Sequence, residues 1–530
     1  MYKVMIRDNM SLLAKEILED TGQIEVVVDF DKETSKPEKL VKLLDEFDGL
    51  AIRSGTKVPA EVIEQVSRLK CIGRAGIGVD NIDVSAATKK GIVVMNAPGG
   101  NTVTTAEHAI SMLCALARHI PQATASLREG KWDKKKFVGV EISDKTLGII
   151  GLGQIGRVVA DRANGLKMHV IASDPFVSKE AAEALKVELV DTDELLRRSD
   201  FITLHVPRMD ETRGMVNEEF LKKTKQGVRL INCSRGEVVN VDDLYKYLES
   251  GHVAGAALDV FPTEPPEADL PILRHPNVIM TPHLGASTGE AQEKVAEMIA
   301  KQMAGFLIHG SIVNAVNFPS ISPKAMEELR PYIRLAEKMG SMMGQLVREL
   351  SNVTITYAGE VAELDIRPIT HAILKGLLGA YTDQPVNYVN APALAKSKGM
   401  KVEEKKSRKT HDYTTLIKLD MVDNTYKLSD VWGTIFGKDI PRIVRLGRIY
   451  MDAIPEGPML IIQNKDKPGV IGNIGTALAE NKINIGRFHL GRREGQALCM
   501  VNVDSLPDDE VVEKLRVLPN IISVRRIHLD

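Results

Sequence analysis

Arg235, Glu264 and His283 are the side chains on which chemistry could rest. An imidazole titrates in the range a base needs to take a hydroxyl proton near neutral pH. A carboxylate beside it would orient the ring and favour imidazolium. A guanidinium can grip a substrate carboxylate through two parallel hydrogen bonds. Each alone reads more readily as a structural histidine or a surface charge. Together they point to proton transfer on a small molecule that carries a carboxylate. Upstream, Gly151-Leu-Gly-Gln-Ile-Gly156 follows an apolar run at 146–150 and opens a helical run at 157–163. In a G-x-G-x-x-G turn between strand and helix, the first glycine makes the turn and the second lets backbone approach a pyrophosphate. The third lets helix and strand pack closely. The pyrophosphate then sits at the helix N-terminus. Asp174, eighteen residues past Gly156, suits the adenosine ribose hydroxyls and would repel a 2′-phosphate, which favours NAD over NADP.

Such groups need a scaffold. Up to about residue 285, short β-branched runs at 4–6, 26–28, 50–52, 71–72 and 92–94 alternate with helical runs at 12–18, 40–47, 62–69 and 84–89. Further strand-like runs follow at 146–150, 169–172, 201–204, 228–231, 253–258 and 278–280. This alternation predicts two doubly wound parallel sheets of Rossmann/flavodoxin type. A helix over 105–116, with Ala109, Met112, Leu113 and Leu116 at helical spacing, joins them, and a long helix over 290–309 closes this part. Polar residues recur just past the carboxyl ends of the predicted strands. They are Arg53, Ser54, Arg74 and Asn101 in the first sheet, then Asp174, His205, Arg235, Asp259 and His283 in the second. Ligands of open α/β sheets bind at that edge, so the cleft between the sheets is the expected site.

Residues 319–325 read as a linker, and the charge-rich run 401–409 reads as a solvated loop. From 459 a strand (459–463), a helix (469–480), strands at 483–490 and 497–503, a helix (509–515) and a strand (521–527) predict a ferredoxin-like module. The expected domains are 1–98 for substrate, completed by 287–318, and 99–286 for the dinucleotide. An α+β intervening unit over 319–452 and the module at 453–530 follow.

The 530 residues are 44% apolar and 26% charged, enough for several ordinary cores. Lys plus Arg number 69 against 71 Asp plus Glu, and aromatics make up 4%. That balance has no general pull toward nucleic acid or anionic lipid and no broad base-stacking surface. No apolar stretch approaches membrane-spanning length, and the charged start lacks the apolar segment of a signal peptide. Cys71, Cys114, Cys233 and Cys499 are isolated, with no histidine at ligand spacing. This argues against disulfides and structural zinc and for a reducing compartment. We expect a cytoplasmic protein without a metal, nucleic-acid or membrane partner.

The blocks 148–156, Asn232-Cys-Ser-Arg-Gly236, Asp259-Val-Phe-Pro-Thr-Glu-Pro265 and Pro282-His-Leu-Gly-Ala286, in their order and spacing, resemble the signatures of the D-isomer-specific 2-hydroxyacid dehydrogenases. More narrowly, Arg53-Ser-Gly-Thr-Lys-Val58, Gly73-Arg-Ala-Gly-Ile-Gly-Val-Asp-Asn81 and Gly130-Lys-Trp-Asp-Lys-Lys135 resemble the branch of that family that oxidises 3-phospho-D-glycerate on the way to L-serine. Its long form carries an intervening domain and a C-terminal ACT domain, and the resemblance covers essentially the whole chain. It implies that Arg235 binds the substrate carboxylate and carbonyl, that His283 is the acid/base and that Glu264 orients it. Arg53, Ser54, Arg74 and Asn101 fall on the substrate side. Gly151, Gly153, Gln154, Ile155, Gly156, Asp174, Val206, Ser234, Asp259 and Gly285 fall on the NAD side. Lys134, in the basic cluster 134–136, either reaches a phosphate across a dimer interface or belongs to a solvated charge run. Trp132 beside it reads as an interface or core anchor. Gly55, Gly99 and Ile77 depart from the residues common in the family (alanine, asparagine and threonine), which leaves affinity and secondary substrates open.

In the ACT-like module, Asn464, Asp466 and Asn484 could bind the ammonium and carboxylate of an amino acid. The resemblance implies L-serine, held between two modules. A plain dimerisation module, with Asp466 capping the Pro468–Gly469 turn, is the other reading. The family also implies a homodimer or homotetramer. Two alternatives stay open: another 2-hydroxyacid enzyme, such as a hydroxypyruvate or glyoxylate reductase, and an NAD-sensing corepressor-like binding protein.

Overall fold

The computed structural model describes residues 1–347, 352–382, 384–421 and 429–529. The first sheet contains β1 (Tyr2–Ile6), β2 (Ile24–Val28), β3 (Gly49–Ile52), β4 (Cys71–Arg74) and β5 (Val93–Asn96). Its order is β2-β1-β3-β4-β5, all parallel. These strands are almost continuously apolar because helices cover both faces. Leu50, Ile52, Ile72 and Val94 pack on Leu40, Leu44 and Val62, while Val4, Ile6, Cys71 and Val93 face Ile299 and Met303.

α1 (Thr102–Arg118), longer at both ends than its apolar stripe predicts, leads to the second sheet. There β6 (Thr146–Ile150), α2 (Gln154–Gly165), β7 (His169–Ser173), β8 (Glu188–Leu189), β9 (Phe201–Leu204), β10 (Val228–Asn232), β11 (Val253–Leu258) and β12 (Val278–Met280) follow. The order is β12-β11-β10-β9-β6-β7-β8, again parallel throughout. Chain order reverses between β1 and β3 in one sheet and between β6 and β9 in the other, which opens a crevice at each carboxyl edge. α3 (Gly289–His309) returns to the first sheet and packs so closely that a Cβ on Gly73 would stand 2.5 Å from Ile299 Cγ2.

Two expectations beyond this point are corrected. The segment 319–325 is not all linker: α4 (Pro323–Leu346) starts inside it, with Pro323 at its first turn and Ser322 Oγ accepting from Ala325 N. α4 crosses α5 (Arg367–Gly379) at glycines: a Cβ on Gly340 would lie 2.1 Å from Ile373 O, and one on Gly376 2.2 Å from Glu337 O. These helices cover a sheet of β13 (Val353–Gly359), β14 (Val402–Ser407), β15 (Thr415–Met421), β16 (Asp430–Phe436), β17 (Ile440–Leu446) and β18 (Ile449–Ala453). Its order is β14-β13-β15-β16-β17-β18. The run 401–409 is therefore no solvated loop; it supplies the edge strand β14, whose exposed charges at 403–406 discourage pairing with another chain.

The C-terminal module has β19 (Gly457–Lys465), α6 (Val470–Glu480), β20 (Ile485–Arg493), β21 (Gln496–Val503), α7 (Asp509–Arg516) and β22 (Ile521–Leu529). Its sheet is antiparallel, ordered β20-β21-β19-β22. Strand periodicity divides its residues. Leu460, Ile462, Cys499 and Val501 pack on α6 and α7, while Met459, Ile461, Leu498 and Met500 join the core of the intervening unit. Among the described residues no helix is long and apolar enough to cross a membrane.

Candidate active site

The loops after three neighbouring strands, β10, β11 and β12, carry Arg235, Glu264 and His283. His283 Nδ1 lies 2.7 Å from Glu264 Oε2, and Glu264 Oε1 accepts from Phe261 N at 3.2 Å. Burial pushes the Glu264 carboxyl up, but the hydrogen bond and charge of His283 and the Phe261 N–H outweigh it, and the group titrates below the usual carboxylate range. Ionised Glu264 places the proton on Nδ1 and leaves Nε2 as the ring atom that can accept one. His283 has a left-handed backbone (φ 57), held by its N–H to Asp259 O at 2.9 Å and Thr281 O at 3.0 Å.

Arg235 reaches across the cleft. Its Nε donates to Asp80 Oδ2 at 3.0 Å and its Nη1 to Ser234 O at 2.8 Å. Arg208 comes within 3.7 Å of the same carboxylate. Two glycines of the segment 73–81 make room for two guanidiniums. A Cβ on Gly76 would stand 1.6 Å from Arg74 Nη1, and one on Gly78 2.1 Å from Arg235 Nη2. Burial and the neighbouring Arg235 charge bring the Arg74 pKa down to about 10, and its Nε is buried without a partner. Two cations side by side, one partly desolvated, favour an anionic ligand.

Arg53 lies on the loop after β3, anchored by Asp8 on the loop after β1: Asp8 Oδ2 accepts from Arg53 N and Thr56 N, both at 2.9 Å. This anchor explains Gly55, where a Cβ would come 2.9 Å from Asp8 Oδ1. Gly99 has φ +83, a conformation that glycine and asparagine both tolerate. Ser54 is exposed beside Arg53. Asn101 starts α1 with its Oδ1 buried and unpartnered. Lys134, in the exposed turn Lys134–Lys136, joins none of these hydrogen bonds or ion pairs. Trp132 is 83% exposed, which removes the core-anchor reading and leaves the interface one.

The glycine loop fits a pyrophosphate. Gly151 has φ +94 with its Cβ position 2.7 Å from His205 O, and a Cβ on Gly156 would stand 2.2 Å from Gly151 O. Above Gly153 nothing lies within 4 Å, so the N-terminus of α2 opens onto free space where an anion is favoured. Asp174 braces the loop: Oδ2 accepts from Leu152 N and Oδ1 from Phe176 N, each at 2.8 Å. A carboxylate keeps further acceptor positions for hydroxyls. Gln154 Oε1 accepts from Thr102 Oγ1 at 3.4 Å, and Ile155 and Val206 pack on opposite faces of the second sheet. Ser234 is buried with its Oγ on Asn232 Oδ1. Asp259 is 1% exposed and accepts from Thr281 Oγ1, Leu284 N and Gly285 N, with His108 Nε2 3.2 Å from its Oδ1. Its carboxylate is thus engaged inside the protein, and a direct bond to a cofactor would displace one of these donors. Gly285 is held at both ends, its O accepting from Thr105 Oγ1 at 2.9 Å. Burial takes the His205 pKa down to about 4, so this ring is neutral.

In the C-terminal module Asn464 is 3% exposed, facing Cys499, whereas Asn484 is exposed and donates to Asp504 Oδ2 at 3.1 Å. Asp466 pairs with Arg492 at 2.7 Å. Sequence pattern does not single out Asp80, His108 and Thr281. Asp80 stands in the block 73–81 with nothing local to give it a role. His108 follows Asn101 and Thr105 at helical spacing along α1, which places it on their face of the helix but gives it no partner.

Residues 110–285 match the family model of the D-isomer specific 2-hydroxyacid dehydrogenase NAD binding domain. Residues 328–447 match the D-3-phosphoglycerate dehydrogenase intervening domain, and 459–520 the ACT domain. The chain is 42% identical to a D-3-phosphoglycerate dehydrogenase of Archaeoglobus fulgidus, over 99% of this chain and all of that one. It is also 42% identical to the enzyme of that name from Methanocaldococcus jannaschii, over the full length of both. The solved glyoxylate reductase of Paecilomyes thermophila superposes with a TM-score of 0.53 at 28% identity, covering 59% of this chain and 98% of that one.

Proposed function

The chain belongs to the D-3-phosphoglycerate dehydrogenase family, and from that premise we propose how its cleft performs the NAD-dependent oxidation of 3-phospho-D-glycerate to 3-phosphohydroxypyruvate, the first step of L-serine biosynthesis. The observation that carries the residue roles is the 2.7 Å Glu264–His283 pair beside Arg235 on adjacent strand ends. NAD, bound along the glycine loop, supplies the acceptor for the hydride that leaves C2 of the substrate. His283 takes the 2-hydroxyl proton on Nε2, and Glu264 stabilises the imidazolium that results. Arg235 grips the substrate carboxylate and stabilises charge on the developing carbonyl. Arg53, Ser54, Arg74 and Asn101 hold the remainder of the substrate, and the paired cations suit a phosphorylated acid. Asp174 selects NAD over NADP.

The exposed apolar residues Ile120, Leu127, Trp132 and Val138 of one segment support a homodimer, in which a second copy would cover them. Lys134 would then approach a partner's cleft. Further association through the C-terminal modules gives a tetramer. L-serine is the proposed effector, bound at the Asp466 and Asn484 edge between modules, with buried Asn464 supporting the loop. Four free cysteines suit a reducing cytoplasm. The test is NADH formation from 3-phosphoglycerate at alkaline pH with product trapped, with and without millimolar L-serine. His283→Ala should lower turnover about 10²- to 10⁴-fold while NAD still binds. Near-normal turnover in that variant would overturn the acid/base assignment.

A further inference from the structure

One group close to the acid/base pair has no role in these steps: His108 on α1, its side chain 20% exposed. Three successive amides wrap Asp259. His283 N binds its backbone O at 2.9 Å, Leu284 N its Oδ1 at 2.6 Å and Gly285 N its Oδ2 at 2.9 Å. Two of these amides bracket the carboxylate, one on each oxygen, and the third ties the backbone of His283 to that of Asp259 in the left-handed conformation. The enclosed carboxylate is beyond the reach of bulk water, so side chains must orient it. Thr281 Oγ1 donates to Oδ1 at 2.6 Å, and His108 Nε2 lies 3.2 Å from the same oxygen and 3.1 Å from Thr281 Oγ1. The Thr281 proton is engaged with Asp259, so at this junction the imidazole must donate. Burial pushes the Asp259 carboxyl up, and the His108, Thr281 and Leu284 donors pull it below the usual carboxylate range. One turn earlier on α1, Thr105 holds Gly285 O.

We propose that His108 is a positioning residue for the reaction, its Nε2–H placed between Thr281 Oγ1 and the Asp259 carboxylate and so locking the 281–285 loop that presents His283 to Glu264 and to the substrate hydroxyl. The proposal rests on the reading of His283 and Glu264 as the acid/base pair. His108 acts through Asp259, and α1 becomes part of the catalytic frame. Without the imidazole, Asp259 loses the one of these groups that comes from outside the 281–285 loop, and loop and carboxylate can shift together. Small misplacements of a reacting group cost large factors in rate.

The experiment compares wild type, His108→Leu, His108→Gln and His283→Ala for kcat, for the Michaelis constants of both NAD and the phosphorylated acid, and for NADH binding by fluorescence. His108→Leu should lower kcat about ten-fold or more, with both KM values and NADH binding within about three-fold of wild type. His108→Gln, whose amide can donate to the same oxygen, should recover most of kcat. If His108→Leu does not fold, His108→Asn, whose amide is one methylene shorter, takes its place. Wild-type kcat in the variant lacking the donor overturns the proposal. So does a joint loss of kcat and KM that His108→Gln fails to relieve, which is the mark of a merely structural role. Near-normal turnover in His283→Ala would instead remove the acid/base reading beneath it. An inactive His283→Ala beside a fully active His108→Leu sinks the positioning role alone.

Discussion

At Gly78 a methyl group would stand 2.1 Å from Arg235 Nη2 and 2.8 Å from Asp80 Oδ2. Gly78→Ala should displace the guanidinium and lower kcat/KM for the phosphorylated acid about ten-fold. NAD affinity, measured by titration, should stay as in wild type, because the glycine loop lies on the other sheet. Gly153 predicts the complement. Its Cβ position is open to space, so Gly153→Ala leaves stability within about 1 kcal/mol and weakens NAD about ten-fold by filling the ground a pyrophosphate needs. An unchanged NAD dissociation constant would count against that placement. Both glycines stand in blocks that sequence reading singles out. What each makes room for depends on a contact between distant segments in one case and on the emptiness above a helix end in the other.

Between β15 and β16, Asp420 and Asp430 face each other directly across the ladder. Burial raises both carboxyl pKa values; Lys418 and Arg445 offset this only in part for Asp420, as Arg445 does for Asp430. A carboxyl whose folded pKa is raised stabilises the fold fully below its unfolded value, about pH 4, and that contribution is lost as pH rises through the folded pKa. Asp420→Asn should therefore raise the melting temperature at pH 7 by about 2 °C and leave it nearly unchanged at acidic pH. A lower melting temperature at pH 7 would show that the pair is held by its cations. At the α4–α5 crossing, Gly376→Ala pushes a methyl to 2.2 Å from Glu337 O and should cost about 1–3 kcal/mol in urea unfolding. Neither helix was resolved by the sequence pattern, which is mixed through this unit because the crossing combines glycines with a charged pair, Glu337 and Lys375.

The units are tied end to end. Gln345 at the end of α4 docks on β22 as a strand would, its Oε1 accepting from His528 N at 2.9 Å and its Nε2 donating to His528 O at 2.8 Å. At the other side of the intervening unit, Asn387 Nδ2 donates to Gly91 O at 2.8 Å, closing the helix Val84–Lys90 of the first sheet's domain. An effector that moves the C-terminal sheet would reach the first sheet's domain through these contacts. Gln345→Ala should keep turnover without effector and blunt any fall in rate that millimolar L-serine produces in wild type. A serine response equal to wild type would place the coupling elsewhere.

The amino-acid sequence by itself determined the periodic and local features of this protein. These are the alternating strands and helices, the glycine loop, the βαββαβ tail and the polar residues at strand ends. Such features rest on spacing along the chain, and strand boundaries in the tail differ from expectation by only a few residues. Tertiary structure alone decided which of those residues meet. It brought Asp80 to Arg235, enclosed Asp259 in three amides with His108 behind it, turned Asn464 into the core and made an edge strand of a charged run. Each of these is a pairing between distant segments whose energy comes from burial and hydrogen bonding at the meeting point, and no local pattern records it.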